Sequence, residues 1–209
     1  MRLLDLMEPE ETVGNLWHDM AAGIGADVSY PEAAVDLASL RTSLTVLFRA
    51  LGGPSGVELG EAPATLMRHR RPTRRKIAAA RDKESIASFD GERLNLPPVI
   101  AAFPDTDLNR AAYFWLTALA ATAGQADVDC PDDGAAFDCL QIRLNADAAE
   151  ATYQACPGLR NAYTRMASFC IGARPNVMRP ALEAAIEVAI CNQLGGDTAL
   201  LNPEPAPRG

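Results

Sequence analysis

Residues 89–119 read FDGERLNLPPVIAAFPDTDLNRAAYFWLTAL, and this stretch decides the fold class. The pair Asp90-Gly91 predicts a tight type I′ hairpin turn, because both central positions of that turn need a positive φ that these residue types tolerate. Pro97-Pro98 ends the second arm, since proline has no N–H to donate to a strand ladder. A β-hairpin is therefore expected around this turn.

A helix with almost no polar face follows the hairpin. Asp105 or Asp107 can cap its first turn by accepting hydrogen bonds from free backbone N–H groups. From residue 111 onward, its only side chains with polar atoms are a tyrosine, a tryptophan and two threonines. Such a helix is normally buried, and residues 107–123 are too few to cross a bilayer. We expect this helix at the centre of the core.

Apolar periodicity predicts the other elements. Residues 34–51 carry a stripe of leucines closed by Gly52-Gly53-Pro54, which is typical of a helix and its C-terminal stop. Residues 56–65 alternate weakly and indicate a short strand. Further helices are predicted at 10–23, 135–144, 146–155, 158–172 and 179–194.

The last of these helices has an expected buried face and an expected end. Gly195 follows it at the position of a C-terminal cap. The side chains predicted to be buried are Leu182, Ala185, Ile186, Ala189, Ile190 and Leu194.

Together these elements predict one domain over residues 1–200. Its fold class is mainly α with a small β element (α+β): a helical domain whose inserted β-hairpin, near 85–96, packs beside the central buried helix. A chain of 209 residues with 48% hydrophobic content is long and apolar enough for one core. Residues 201–209 are proline-rich and indicate a linker or tail.

The start of the chain has no apolar signal-peptide region, and no apolar run reaches membrane-spanning length. These features predict a cytoplasmic protein without membrane insertion.

Several segments, in order, resemble the N-terminal region of the NorD-type proteins, the nitric oxide reductase activation proteins. They cover nearly the whole chain, although each is short and none is catalytic. The segments are 8–18 (EPEETVGNLWH), 30–35 (YPEAAV) running on to 47–53 (LFRALGG), 89–119, and Arg174-Pro175 with 184–196.

This resemblance implies an accessory role. NorD-type proteins typically carry a C-terminal von Willebrand A domain whose D-x-S-x-S loop binds a divalent metal. They work with a MoxR-type AAA+ ATPase to mature or activate nitric oxide reductase. The present sequence has no D-x-S-x-S string, and residues 36–40 (DLASL) have the wrong spacing. We therefore expect a non-enzymatic adaptor, either an isolated N-terminal domain or a truncated product, with the ATPase and the reductase as partners.

Catalytic motifs are missing from the sequence. A hairpin before a buried helix is also the layout of zincin metallopeptidases, but residues 113–116 read YFWL where that helix would carry H-E-x-x-H. His18 and His69 have no ligand spacing, and residues 52–56 (GGPSG) lack the lysine of a phosphate-binding loop. The aspartates of 127–133 lack the EF-hand order and indicate a solvated acidic loop.

We therefore expect no metal, no cofactor and no enzymatic activity. The alternatives are a degenerate zincin-like peptidase scaffold with an unrecognised hydrolytic role, and a truncated gene product without independent function.

The cysteines are odd in number, widely spaced and without a C-x-x-C motif. They are interpreted as small buried apolar residues in a reducing compartment. They are Cys130, Cys139, Cys156, Cys170 and Cys191.

The formal net charge of −8 conceals a basic block. One interpretation is an exposed loop, and the other is a patch that docks onto an acidic partner surface. Nucleic acid is not expected as a partner, because the rest of the chain is acidic and no aromatic residues alternate with the arginines. The candidate docking residues are Arg68, Arg70, Arg71, Arg74, Arg75 and Lys76.

Overall fold

The computed structural model describes residues 29–66, 83–85, 87–123, 134–174 and 181–195. The helices are α1 (Leu37–Ala50), α2 (Thr106–Thr122), α3 (Gly134–Ala155), α4 (Arg160–Ala173) and α5 (Ala181–Gln193). The strands are β1 (Val35–Asp36), β2 (Glu58–Glu61), β3 (Ala64–Leu66), β4 (Lys83–Ser85), β5 (Ser88–Phe89), β6 (Arg93–Leu96) and β7 (Val99–Ile100).

This architecture confirms the predicted fold class, mainly α with a small β element. Short 3-10 helices at Pro31–Ala33 and Pro157–Leu159 complete the described elements. The helix predicted at 10–23 and the tail at 201–209 lie outside the described residues, as do His18, His69 and the acidic loop. None of the described helices is both long and apolar enough to cross a bilayer.

The strands form three small sheets. In the largest, β6 lies between β2, which runs parallel to it, and β5, which runs antiparallel. β1 pairs with β7, and β3 pairs with β4, both antiparallel. The predicted hairpin is thus the β5–β6 pair, but its first arm is shorter than expected. Ser85 pairs instead with Ala64 in the β3–β4 ribbon.

The hairpin turn differs from the predicted type I′ turn. Gly91 has φ +88°, but no non-glycine residue in the described ranges has a positive φ, so Asp90 does not adopt the left-handed conformation. The Asp90 carboxylate instead accepts hydrogen bonds from the backbone N–H groups of Glu92 at 2.9 Å and Arg93 at 2.6 Å. The side chain closes the turn by satisfying these donors, so a single glycine is sufficient.

Helix α1 begins three residues later than predicted, because Val35 and Asp36 pair with β7. Its C-terminus is a Schellman motif. The N–H of Gly53 donates to the carbonyl oxygen of Phe48 at 2.9 Å, and that of Gly52 to Arg49 at 3.1 Å. Gly52 has φ +95°, the left-handed conformation that this motif requires. The predicted glycine stop is confirmed.

Helix α2 is the buried centre that the sequence predicts. Its N-cap is Asp105, whose carboxylate accepts a hydrogen bond from the N–H of Asp107 at 2.9 Å. It packs against α1, α3 and α4 and contacts β6 and β7. Trp115 is 1% exposed and its ring centroid lies 4.3 Å from that of Tyr163 on α4, so aromatic contacts join the two helices.

Helix α3 corrects the prediction of two helices at 135–144 and 146–155. Asn145, which was expected to separate them, is fully buried within one continuous helix. The Thr152 hydroxyl lies 2.8 Å from the Thr122 hydroxyl of α2. Tertiary packing therefore overrides the local preference of asparagine for a helix end.

The predicted buried face of the last helix is also partly wrong. Leu182 is 57% exposed, and Cys191, which was not among the residues predicted for this face, is 1% exposed, whereas Leu194 is buried as predicted. The helix ends as predicted, since Gly195 has φ +83°. The face directed inward is therefore rotated about the helix axis relative to the one that apolar periodicity indicates.

Candidate partner-binding surface

The basic block itself (Arg68, Arg70, Arg71, Arg74, Arg75 and Lys76) lies outside the described residues, but the strands on either side of it are described. β3 precedes it and β4 follows it, and these strands pair so that Leu66 is opposite Lys83. The residues that flank segment 67–82 are therefore held side by side at the end of one ribbon.

A polar cleft of about 620 Å³ lies at the opposite end of the largest sheet. The first residue of β2 and the last residue of β5 lie at the cleft. The β3–β4 ribbon follows the last residue of β2 and precedes the first residue of β5, so it lies at the other end of these strands. The described residues that line the cleft are Pro54, Gly56, Val57, Glu58, Asp90, Gly91, Glu92 and Arg93.

Carboxylates dominate the charge of this cleft. The backbone N–H groups of Arg93 and Glu92 donate to the Asp90 carboxylate and hold its pKa below the ordinary value. Glu58 pairs with Arg93 at 3.1 Å, and both side chains are exposed. The lining residues include no histidine or cysteine. The cleft can therefore attract a cationic group.

The arginines of the described helices and strands mostly have acidic partners within the chain. Apart from Arg93 with Glu58, these pairs are Arg41 with Glu61 at 3.5 Å, Arg160 with Glu150 at 3.8 Å, Arg165 with Asp105 at 2.7 Å, and Arg174 with Glu187 at 2.7 Å. Much of their charge is thus matched internally. Sequence analysis missed these pairs, because most of them join segments that are distant along the chain.

The cysteine prediction is right for some residues and wrong for another. Cys170 and Cys191 are buried, but Cys139 is exposed and Cys156 is partly buried, and Cys130 lies outside the described residues. Burial raises the pKa of the Cys170 thiol to about 12, so this thiol is protonated and inert at neutral pH. In the part of the chain that the structure covers, no group of three metal-ligating side chains comes together.

Fold and surface together define a mainly α domain with a small mixed sheet, an acidic cleft at one end of that sheet and a ribbon flanking the basic block at the other.

The chain is similar to proteins named NorD. It is 33% identical to that of Brucella suis over 192 residues, which cover 92% of this chain and 30% of the relative. It is 34% identical to that of Stutzerimonas stutzeri over 189 residues, covering 90% of this chain and 29% of the relative. An uncharacterised protein of Pseudomonas aeruginosa is 34% identical over 185 residues, covering 88% of this chain and 28% of that protein.

These matches confirm the resemblance to NorD-type proteins, and the chain spans less than a third of the length of these relatives. No protein-family model matches the chain, and no solved structure matches it.

Proposed function

We propose that this chain is a NorD-like accessory domain that assists the maturation or activation of nitric oxide reductase. The observation that carries this proposal is the similarity to NorD proteins along 92% of the chain. Within the proposal, the domain is a cytoplasmic, non-enzymatic adaptor. It binds a MoxR-type AAA+ ATPase, the reductase, or both.

The charge distribution supports an adaptor role. Acidic residues within the chain neutralise much of the positive charge on the described arginines, whereas the sequence between β3 and β4 concentrates basic residues with almost no acid. A local excess of one charge raises the rate of encounter with an oppositely charged partner. The basic block is therefore the proposed docking element for an acidic surface of the ATPase.

A chimera tests the proposed function directly. In the Stutzerimonas stutzeri protein, the matching region is replaced by this chain, and the chimera is expressed in a denitrifying strain that lacks its own NorD protein. We expect membranes from this strain to regain nitric oxide reduction, with the unmodified protein as the positive control. A chimera that accumulates normally but leaves the reductase inactive would contradict the proposal.

A binding assay tests the adaptor role separately. The purified chain is titrated with a MoxR-type ATPase, and both are assayed for ATP hydrolysis and peptidase activity. We expect binding that weakens with salt and no hydrolysis by the chain alone. Reproducible peptidase turnover by the chain would favour the degenerate peptidase scaffold instead.

A further inference from the structure

Among the described residues, helix α5 contributes few fully buried side chains to the contact with the rest of the domain. Cys191 is the only residue of the helix that is buried, and Leu194 follows just beyond its end. Leu182, near the start of the helix, is 57% exposed. By contrast, α2 is buried along most of its length. Elements with little buried apolar surface open at a lower free energy than the core does.

A buried ion pair makes up part of this weak attachment. Nη1 of Arg174, just beyond the end of α4, donates to Oε1 of Glu187 on α5 at 2.7 Å. Their side chains are only 6% and 17% exposed. Glu187 lies one helical turn before Cys191, on the same face of α5. A pair so shielded from water is costly to leave half made, because the remaining charge stays desolvated.

The docked position of α5 also has an unfavourable feature. Both side-chain polar atoms of Gln193, Nε2 and Oε1, are buried without a hydrogen-bond partner in the part of the chain that the structure describes. A buried amide without partners regains hydrogen bonds to water when it is exposed. Gln193 therefore favours release, whereas the ion pair, the burial of Cys191 and the packing of Ile190 and Leu194 on the core favour docking.

We propose that α5 is a releasable helix, and that the Arg174–Glu187 ion pair is the latch that keeps it docked. The domain then has two states, with α5 packed against α3 or detached from it while the core around α2 stays folded. Any partner that binds the detached state more tightly shifts the balance toward release.

The native cysteines report on this equilibrium. Cys191 becomes reactive when α5 detaches, whereas Cys170 on α4 is 0% exposed within the core and reacts on global unfolding. Cys139 is exposed and reports the ordinary reactivity of a free thiol. Alkylation in native buffer is followed for each cysteine by peptide mass spectrometry, and each rate is divided by that of the same cysteine in the denatured chain.

In the parental chain, the normalised rate at Cys191 should exceed that at Cys170 by about tenfold or more, as expected for local opening. Replacement Glu187→Gln should raise the Cys191 rate about tenfold further and leave Cys170 protected, because it removes from α5 the negative charge that pairs with the buried guanidinium of Arg174. Replacement Glu183→Gln is the matched control, since this exposed residue lies on the same helix, and it should change neither rate. The double replacement Arg174→Met with Glu187→Leu removes both charges and should restore protection of Cys191.

Two results would overturn the proposal. Equal normalised rates at Cys191 and Cys170 in the parental chain would mean that α5 opens only when the whole domain unfolds. An equal effect of Glu183→Gln and Glu187→Gln on Cys191 would mean that the ion pair is not the latch.

Discussion

The hydroxyl oxygen of Tyr113 lies 2.8 Å from the backbone carbonyl oxygen of Pro97, directly after the end of β6. Burial raises the pKa of Tyr113, so the hydroxyl keeps its proton and acts as a donor. One helical turn earlier on α2, Asn109 donates to the carbonyl oxygens of Ala33 and Phe103 at 2.8 Å. The central helix thus uses polar groups on one face to bind the irregular backbone that surrounds it.

Replacement Tyr113→Phe should lower the free energy of unfolding by about 1–3 kcal/mol, because it leaves buried carbonyl oxygens without their donor. Urea denaturation of the purified domain measures this change. Tyr153→Phe is the control, since it keeps a ring that packs against Trp115 and removes no hydrogen bond to Pro97. Equal effects of the two replacements would show that the hydroxyl of Tyr113 is not important for stability.

Replacement Trp115→Ala should cost about 3–5 kcal/mol, because it leaves a cavity among the rings of α3 and α4. Trp115→Phe should cost clearly less, since it keeps an aromatic ring and removes a buried indole N–H that has no hydrogen-bond partner among the described residues. The melting temperatures of both variants test this order. An unchanged melting temperature for Trp115→Ala would contradict the burial of this residue.

Two glycines close together in sequence allow the cost of backbone strain to be measured without any contribution from steric overlap. A Cβ atom added at Gly52 or at Gly56 would meet no atom within 4 Å, but only Gly52 has a positive φ. Gly52→Ala should therefore destabilise the domain by about 1–2 kcal/mol through backbone strain alone. Gly56→Ala should be close to neutral or slightly stabilising. Denaturant midpoints for the two variants provide the comparison, and a reversed order would contradict it.

The N-cap of α2 predicts a specific pH dependence. Two hydrogen bonds lower the pKa of Asp105 below its ordinary value of 3.8. The larger contribution comes from the backbone N–H of Asp107 and the smaller one from the side chain of Arg165. Because the folded pKa is the lower one, the stabilisation is fully present above the unfolded pKa and is lost as the pH falls through the folded pKa. In the variant Asp105→Asn, the stability of the domain should therefore fall less steeply as the pH is lowered.

Thermal melts of both chains between about pH 5 and pH 2.5 measure this difference, since the window spans the ordinary aspartate pKa. The control variant Asp107→Asn should retain the parental slope, because its carboxylate does not accept the capping bond. Parental behaviour of Asp105→Asn would show that other groups determine acid stability.

The basic block predicts salt-dependent binding. Replacing Arg70, Arg71, Arg74 and Arg75 by Ser should weaken association with the ATPase at low salt, chiefly through a slower association rate. The difference should shrink as salt shortens the Debye length toward about 8 Å at physiological ionic strength. Surface plasmon resonance at several salt concentrations measures both rates. If the variant binds normally at low salt, the block is only an exposed charged segment.

Sequence patterns predicted the hairpin and the helices well where interactions between residues close together in sequence determine the structure. The proline pair ends β6, Asp105 begins α2, and Gly52 ends α1, because each residue acts through its own backbone geometry or its nearest neighbours. The strand pairing that brings Leu66 opposite Lys83 was not predictable in this way, since it joins residues far apart in sequence.

By itself, the sequence determined the mainly α class, the apolar central helix, the positions at which most helices and strands end, and the similarity to part of the NorD proteins. Tertiary structure alone decided that Asn145 lies inside one continuous helix, that the acidic cleft forms between residues 54–58 and 90–93, and that α5 directs Glu187 and Cys191 inward. Periodicity shows which faces of a helix are apolar, but the inward face depends on which neighbours supply matching surface. For α5, the matching neighbour is the charge of Arg174, just beyond the end of α4, which pairs with Glu187 and which no local pattern reveals.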